Sequence, residues 1–127
     1  MKANELMTGD YFRIAQTCKI IKIVAVDDNS GCVDYFDGDA GGMLTIGVEK
    51  IQPIPLTAEI LEKNGFIESD VFVEWKYEDE GLYILWKPFP FLKVETQSVQ
   101  LNLSGCEYIY ELQHVLRLCG IDKQITI

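Results

Sequence analysis

The chain has 127 residues and carries 20 acidic against 11 basic side chains, a formal charge of −9 with a single histidine. That surplus opposes the phosphate neutralisation on which nucleic-acid binding rests, and it equally disfavours an anionic membrane surface. The length fits one domain or two small subdomains, and the 48% hydrophobic content is enough for the chain to fold without help.

In chain order, Thr8-Gly9-Asp10 leads into a first strand over 11–14. The run from Lys19 to Val26, K-I-I-K-I-V-A-V, is rich in the β-branched residues that suit a pleated surface. Asp27-Asp28-Asn29-Ser30-Gly31 is turn chemistry, after which a strand resumes over 32–36 and closes a hairpin. Gly38-Asp39-Ala40-Gly41-Gly42 forms a second loop, followed by a strand over 43–46 and a short segment over 48–51. Five short strands joined by tight turns predict a small SH3-like β-barrel over residues 1–53, because closure removes exposed sheet edges.

Pro53 and Pro55 mark the junction, and residues 54–127 read as an α-β-β-β-α layer with an antiparallel sheet. The fold class expected is therefore α+β. Thr57 is placed as a helix N-cap, with Leu56 and Leu61 as a hydrophobic staple and Asn64-Gly65 as the stop. Residues 71–77 alternate with Val71, Val73, Trp75 and Tyr77 on one face, and 82–87 returns with Leu82, Ile84 and Trp86 inward. Pro88-Phe89-Pro90 cannot lie in a central strand, because neither proline donates to a ladder. Residues 92–95 then pair at an edge, and 98–103 supplies a last strand. Ser104 to Gly120 reads as an amphipathic helix with a Ser104–Glu107 capping box. Its apolar side holds Tyr108, Ile109, Leu112, Val115, Leu116 and Cys119, and its polar side holds Tyr110, Gln113, His114 and Arg117.

Three stretches, K-A-N-E-L-M-T-G-D-Y, I-Q-P-I-P-L-T-A-E-I-L-E-K-N-G-F and Y-I-Y-E-L-Q-H-V-L-R-L-C-G-I, together span nearly the whole chain. In order and spacing they resemble a family of small uncharacterised proteins from Bacteroidales gut bacteria and their phages. The resemblance implies a phage or mobile-element setting and brings no catalytic motif. The family carries a histidine where this chain has Tyr110 and an asparagine where it has His114.

Few residues point to chemistry. His114 has only Glu111 nearby as an orienting partner for acid–base work. Cys18, Cys32, Cys106 and Cys119 form no C-x-x-C pair and read as reduced core thiols, while Cys106 at a helix start is the one candidate for a lowered thiol pKa. Asp27, Asp28, Asp34, Asp37 and Asp39 cluster, but without the spacing of a calcium loop. Trp86, Phe89 and Phe91 surround a proline-stiffened loop, and aromatic residues dominate protein interfaces. The expected function is thus a non-enzymatic protein-interaction module that binds another protein through Trp86, Phe89 and Phe91, with self-association allowed and no cofactor. The alternative is a small metal-dependent hydrolase or nuclease-like enzyme with Asp34, Asp37 and Asp39 as ligands. No window approaches the roughly 18 apolar residues of a membrane span, and no signal-peptide run opens the chain, so a cytoplasmic location and no membrane partner are expected.

Overall fold

A computed structural model describes residues 2–127, which fall into two compact units, one ending at Ile54 and the other beginning at Pro55. Among the described residues the architecture is α+β: two five-stranded antiparallel sheets and two α-helices. None of the helices among the described residues is long and apolar enough to cross a membrane.

In the first unit, β1 (Tyr11–Ile14), β2 (Ile20–Asp27), β3 (Cys32–Asp37), β4 (Gly42–Gly47) and β5 (Ile51–Pro53) form a sheet in the order β4-β3-β2-β1-β5. One 3₁₀ turn (Ala3–Glu5) precedes β1 and another (Val48–Lys50) joins β4 to β5. The sheet is open, with β4 and β5 at its two edges. Alternation puts Phe12, Ile21, Ile23, Val33, Tyr35 and Ile51 in the core, together with Ala3 and Leu6. A bulge between Ile23 and Ala25 shifts the register of β2 against β3, and Val24 within it is exposed. Asp10 is buried as well, its carboxylate accepting the Met7 N–H at 2.7 Å, so it closes the turn that launches β1.

The second unit opens with α1 (Ala58–Lys63), capped at Thr57, whose hydroxyl accepts the Ile60 N–H at 3.3 Å. Gly65 leaves the helix at a φ of +89°, a left-handed conformation that glycine adopts without strain. The sheet then runs β6 (Ile67–Glu68), β7 (Trp75–Asp79), β8 (Leu82–Lys87), β9 (Phe91–Glu95) and β10 (Gln100–Ser104), in the order β10-β9-β8-β7-β6. Its inward positions Trp75, Ile84, Trp86, Leu92 and Val94 are buried, and so are Leu61 of α1 and Ile109, Leu112 and Leu116 of α2 (Ile109–Leu118).

Several sequence expectations are corrected here. The strand expected over 71–77 starts only at Trp75, because Ser69 to Glu74 turns back on itself. β9 lies inside the sheet between β8 and β10 rather than at an edge, and the edges are β10 and the short β6, the latter not predicted by the alternation. The last helix starts at Ile109, not near Ser104, since Ser104 ends β10 and Gly105 breaks away at a φ of +90°. Residues just before the helix are held extended by a Pro55–Tyr108 bridge and by the Leu56 N–H on the Glu107 carbonyl at 2.9 Å. Glu111 therefore does the capping, its carboxylate accepting the N–H groups of Tyr108 at 3.1 Å and Glu107 at 3.2 Å.

Gln113, assigned to the polar side, is buried. Its amide donates to the Lys123 carbonyl at 3.0 Å and accepts the Ile125 N–H at 2.7 Å. Asn64 at the end of α1 repeats the device, donating to the Thr126 carbonyl at 2.7 Å and accepting its N–H at 2.9 Å. Two side-chain amides thus act like short pieces of strand, and Ile125 between them is buried.

Candidate interaction surface

One end of the second sheet gathers the features that sequence reasoning associated with contact. β7 begins at Trp75, β8 ends at Lys87 and β9 begins at Phe91, with Trp75 paired to Trp86 and Lys87 to Phe91. The segment entering β7 and the turn leaving β8 consequently emerge side by side. Between Ser69 and Glu74 the chain folds tightly: the Ser69 N–H donates to the Glu74 carbonyl at 3.0 Å, and the Glu74 N–H donates to the Phe72 carbonyl at 2.9 Å. With its polar groups spent inside the loop, this segment turns Val71, Phe72 and Val73 outward, and Phe72 is 66% exposed. Pro88-Phe89-Pro90 makes the neighbouring turn and leaves Phe89 74% exposed.

Glu74 fastens the two loops together. It is buried, and its carboxylate oxygens lie 3.5 Å from Lys76 Nζ and 3.6 Å from Lys87 Nζ. Lys87 Nζ also sits 5.8 Å from the centre of the Phe89 ring, within range of a cation–π contact. The Gly105 N–H adds a third tie, donating to the Pro90 carbonyl at 3.1 Å. Apolar side chains held outward by a buried, charge-paired anchor are pre-organised, so little further ordering entropy would be lost on contact.

The aromatic residues named from sequence part company here. Phe89 is on the surface, and Phe91 is half-buried with its ring 6.5 Å from that of Phe89. Trp86 is 5% exposed; its indole N–H donates to the Cys106 carbonyl at 2.8 Å and its ring lies 5.8 Å from that of Trp75. It is therefore a core residue, because it takes the inward side of the alternation that puts Lys87 outward. Val71 and Val73 were missed as surface residues, since V-F-V-E-W-K-Y reads as a strand with Val71, Val73, Trp75 and Tyr77 on one face, and Phe72 on the opposite face was not singled out. The available signal was Ser69-Asp70, a turn-forming pair immediately before the apolar run.

The acidic stretch has a structural explanation. Asp27 Oδ1 accepts the N–H groups of Asn29 at 3.0 Å and Ser30 at 3.3 Å, and Asp37 Oδ1 accepts those of Asp39 at 2.9 Å and Ala40 at 3.3 Å. Each aspartate ends a strand and shapes the hairpin turn after it. Lys19 Nζ lies 2.7 Å from Asp37 and 3.6 Å from Asp39. The Lys19 ammonium, followed by the turn N–H groups, holds the Asp37 carboxyl below the ordinary range, and Asp37 in turn raises Lys19. Asp34 accepts the Thr45 hydroxyl at 2.5 Å. Asp37 and Asp39 thus share Lys19 while Asp34 engages Thr45, and among the described residues no three acidic, cysteine or histidine side chains converge in a way that could hold a metal ion.

The remaining candidates fare no better as a catalytic set. Glu111 is occupied at the helix start, and the His114 ring packs edge-on against Tyr110 at 5.4 Å. Cys106 is buried ahead of the helix, and burial, with a smaller contribution from the Glu111 charge, pushes its thiol up to about 12, opposite to the shift an activated thiol needs. Cys18 is exposed rather than a core thiol, at a φ of 59° in the β1–β2 turn. Compared with protein-family models, with curated proteins and with solved structures, the chain matches none.

Proposed function

We propose that the chain is a non-enzymatic protein-interaction module that binds another protein through Val71, Phe72, Val73 and Phe89. The observation that carries this reading is the outward placement of these side chains on two loops joined through the buried Glu74. Scattered exposed apolar residues are ordinary on protein surfaces, whereas a cluster on a braced support is the kind of surface that interfaces use. Phe91, half-buried behind Phe89, would form its rim. Within the same reading the first unit is an SH3-like barrel left unclosed between β4 and β5, a reading supported by the strand order β4-β3-β2-β1-β5 and the 3₁₀ turn before β5. The cytoplasmic setting and the kinship with small Bacteroidales and phage proteins belong to this proposal as well.

Affinity capture from cells of the source organism tests it, comparing wild type with Phe72→Ser/Phe89→Ser. A protein retained by wild type and lost by a variant with an unchanged denaturation midpoint supports the reading. Equal retention by both chains would refute it.

A further inference from the structure

The first unit has two very different edges. β5 is three residues long and ends in Pro53, which cannot donate to a further strand. β4, by contrast, reads Gly-Met-Leu-Thr-Ile-Gly over six residues and pairs with β3 alone. It contains no charge, no proline and no bulge, so it lacks the usual devices that keep a sheet edge from being extended. Its outer face is open as well as its edge, and the other face, shared with the buried Val33 and Tyr35 of β3, is open in part. Met43 is 52% exposed opposite Phe36, itself 63% exposed, and Leu44 on the other face is also exposed.

We infer that β4 is a homodimerisation strand, pairing antiparallel with β4 of a second copy. A two-fold axis normal to the sheet keeps outward residues outward only if it passes through a residue rather than between two. Centred on Leu44 or on Thr45, it sets uncharged residues against uncharged residues at every position. This matters for a chain of charge −9, because two copies can approach closely only where no carboxylate meets its twin. No charge occurs between Asp39 and Glu49, and the nearest one across the ladder, Asp34, is engaged by the Thr45 hydroxyl. The difference between the edges also limits the assembly. Joining at β4 leaves only the proline-ended β5 strands outermost, so the pairing closes as a dimer and does not propagate. This strand shares no residue with the loops around Phe72 and Phe89.

Sedimentation equilibrium over a concentration series tests the inference, with Met43→Lys and Met43→Glu as variants and thermal melts to verify folding. The wild type should form a dimer that tightens with added salt, as like-charged copies are screened. Both variants should weaken it about tenfold or more. Opposite effects of the two substitutions would mean that association follows net charge, and would overturn the pairing. A wild type that stays monomeric to millimolar concentration, or a dimer abolished by Phe89→Ser but not by Met43→Lys, would overturn it equally. Should both variants prove unstable, concentration-dependent slowing of amide exchange at Met43 to Ile46 in the wild type decides the matter, and its absence refutes the strand pairing.

Discussion

Replacing Gln113 by leucine should cost the second unit about 2–4 kcal/mol. The side chain is buried and satisfies two main-chain groups of the C-terminal segment, the Lys123 carbonyl and the Ile125 N–H. Leucine has a similar volume, so little cavity forms, but both groups lose their partner. Each buried orphan costs about 1–3 kcal/mol, and the apolar gain of leucine offsets roughly 1 kcal/mol of the total. Urea unfolding followed by tryptophan fluorescence reads this unit selectively, because Trp75 and Trp86 both belong to it. The decisive comparison is a double-mutant cycle with a chain lacking residues 123–127. In that background Gln113→Leu should be nearly neutral. An equal loss with and without the segment would show that Gln113 does not act through Lys123 and Ile125, and would refute the reasoning.

Leu112 is fully buried, and Leu112→Ala should lower stability by about 2–5 kcal/mol in the same urea assay. Asp37→Asn keeps an oxygen for the turn but removes the charge facing Lys19. Because Asp37 is held below its ordinary range, its contribution is present above that range and is lost as pH falls through the depressed value, so the difference between wild type and variant should close only as pH falls below the ordinary carboxylate range. Amide exchange at Ile23 and Val33 would follow this in the first unit. Thiol labelling of the folded protein at pH 8 should modify the exposed Cys18 first and Cys106 last, as peptide mapping would show.

The elements that local chemistry encodes were legible in the sequence. Thr57 and Gly65 bound α1 because a cap and a left-handed stop are properties of single residues. β1 to β4 were recoverable because turn residues separate β-branched runs. The candidate surface was only half legible. Phe89 stands between two prolines, which the sequence displays, but Val71, Phe72 and Val73 form an apolar run that reads as strand, and hydrogen bonds between Ser69 and Glu74 fold it into a loop instead. Trp86 was misassigned because an aromatic ring beside a loop looks the same in sequence whether its indole meets a partner protein or the Cys106 carbonyl. Gln113 and Asn64 were illegible for a related reason: an amide is polar by composition, and it becomes a core residue only when distant chain brings it main-chain partners.

The two tryptophans of β7 and β8 have a spectroscopic consequence. Their rings lie 5.8 Å apart at 46° to one another, neither parallel nor perpendicular. Indole transition dipoles so placed couple excitonically and add a two-signed band to the far-ultraviolet circular dichroism. The genuine helical signal is small, since the α-helices among the described residues are Ala58–Lys63 and Ile109–Leu118. A spectrum of this protein taken at face value would therefore misstate its helix content. Either Trp75→Phe or Trp86→Phe should abolish the couplet entirely, whereas fluorescence would lose only one of two emitters. The couplet is thus a direct optical gauge of the registry between β7 and β8, and a binding event that shifted one strand against the other would alter its amplitude even if every helix stayed intact.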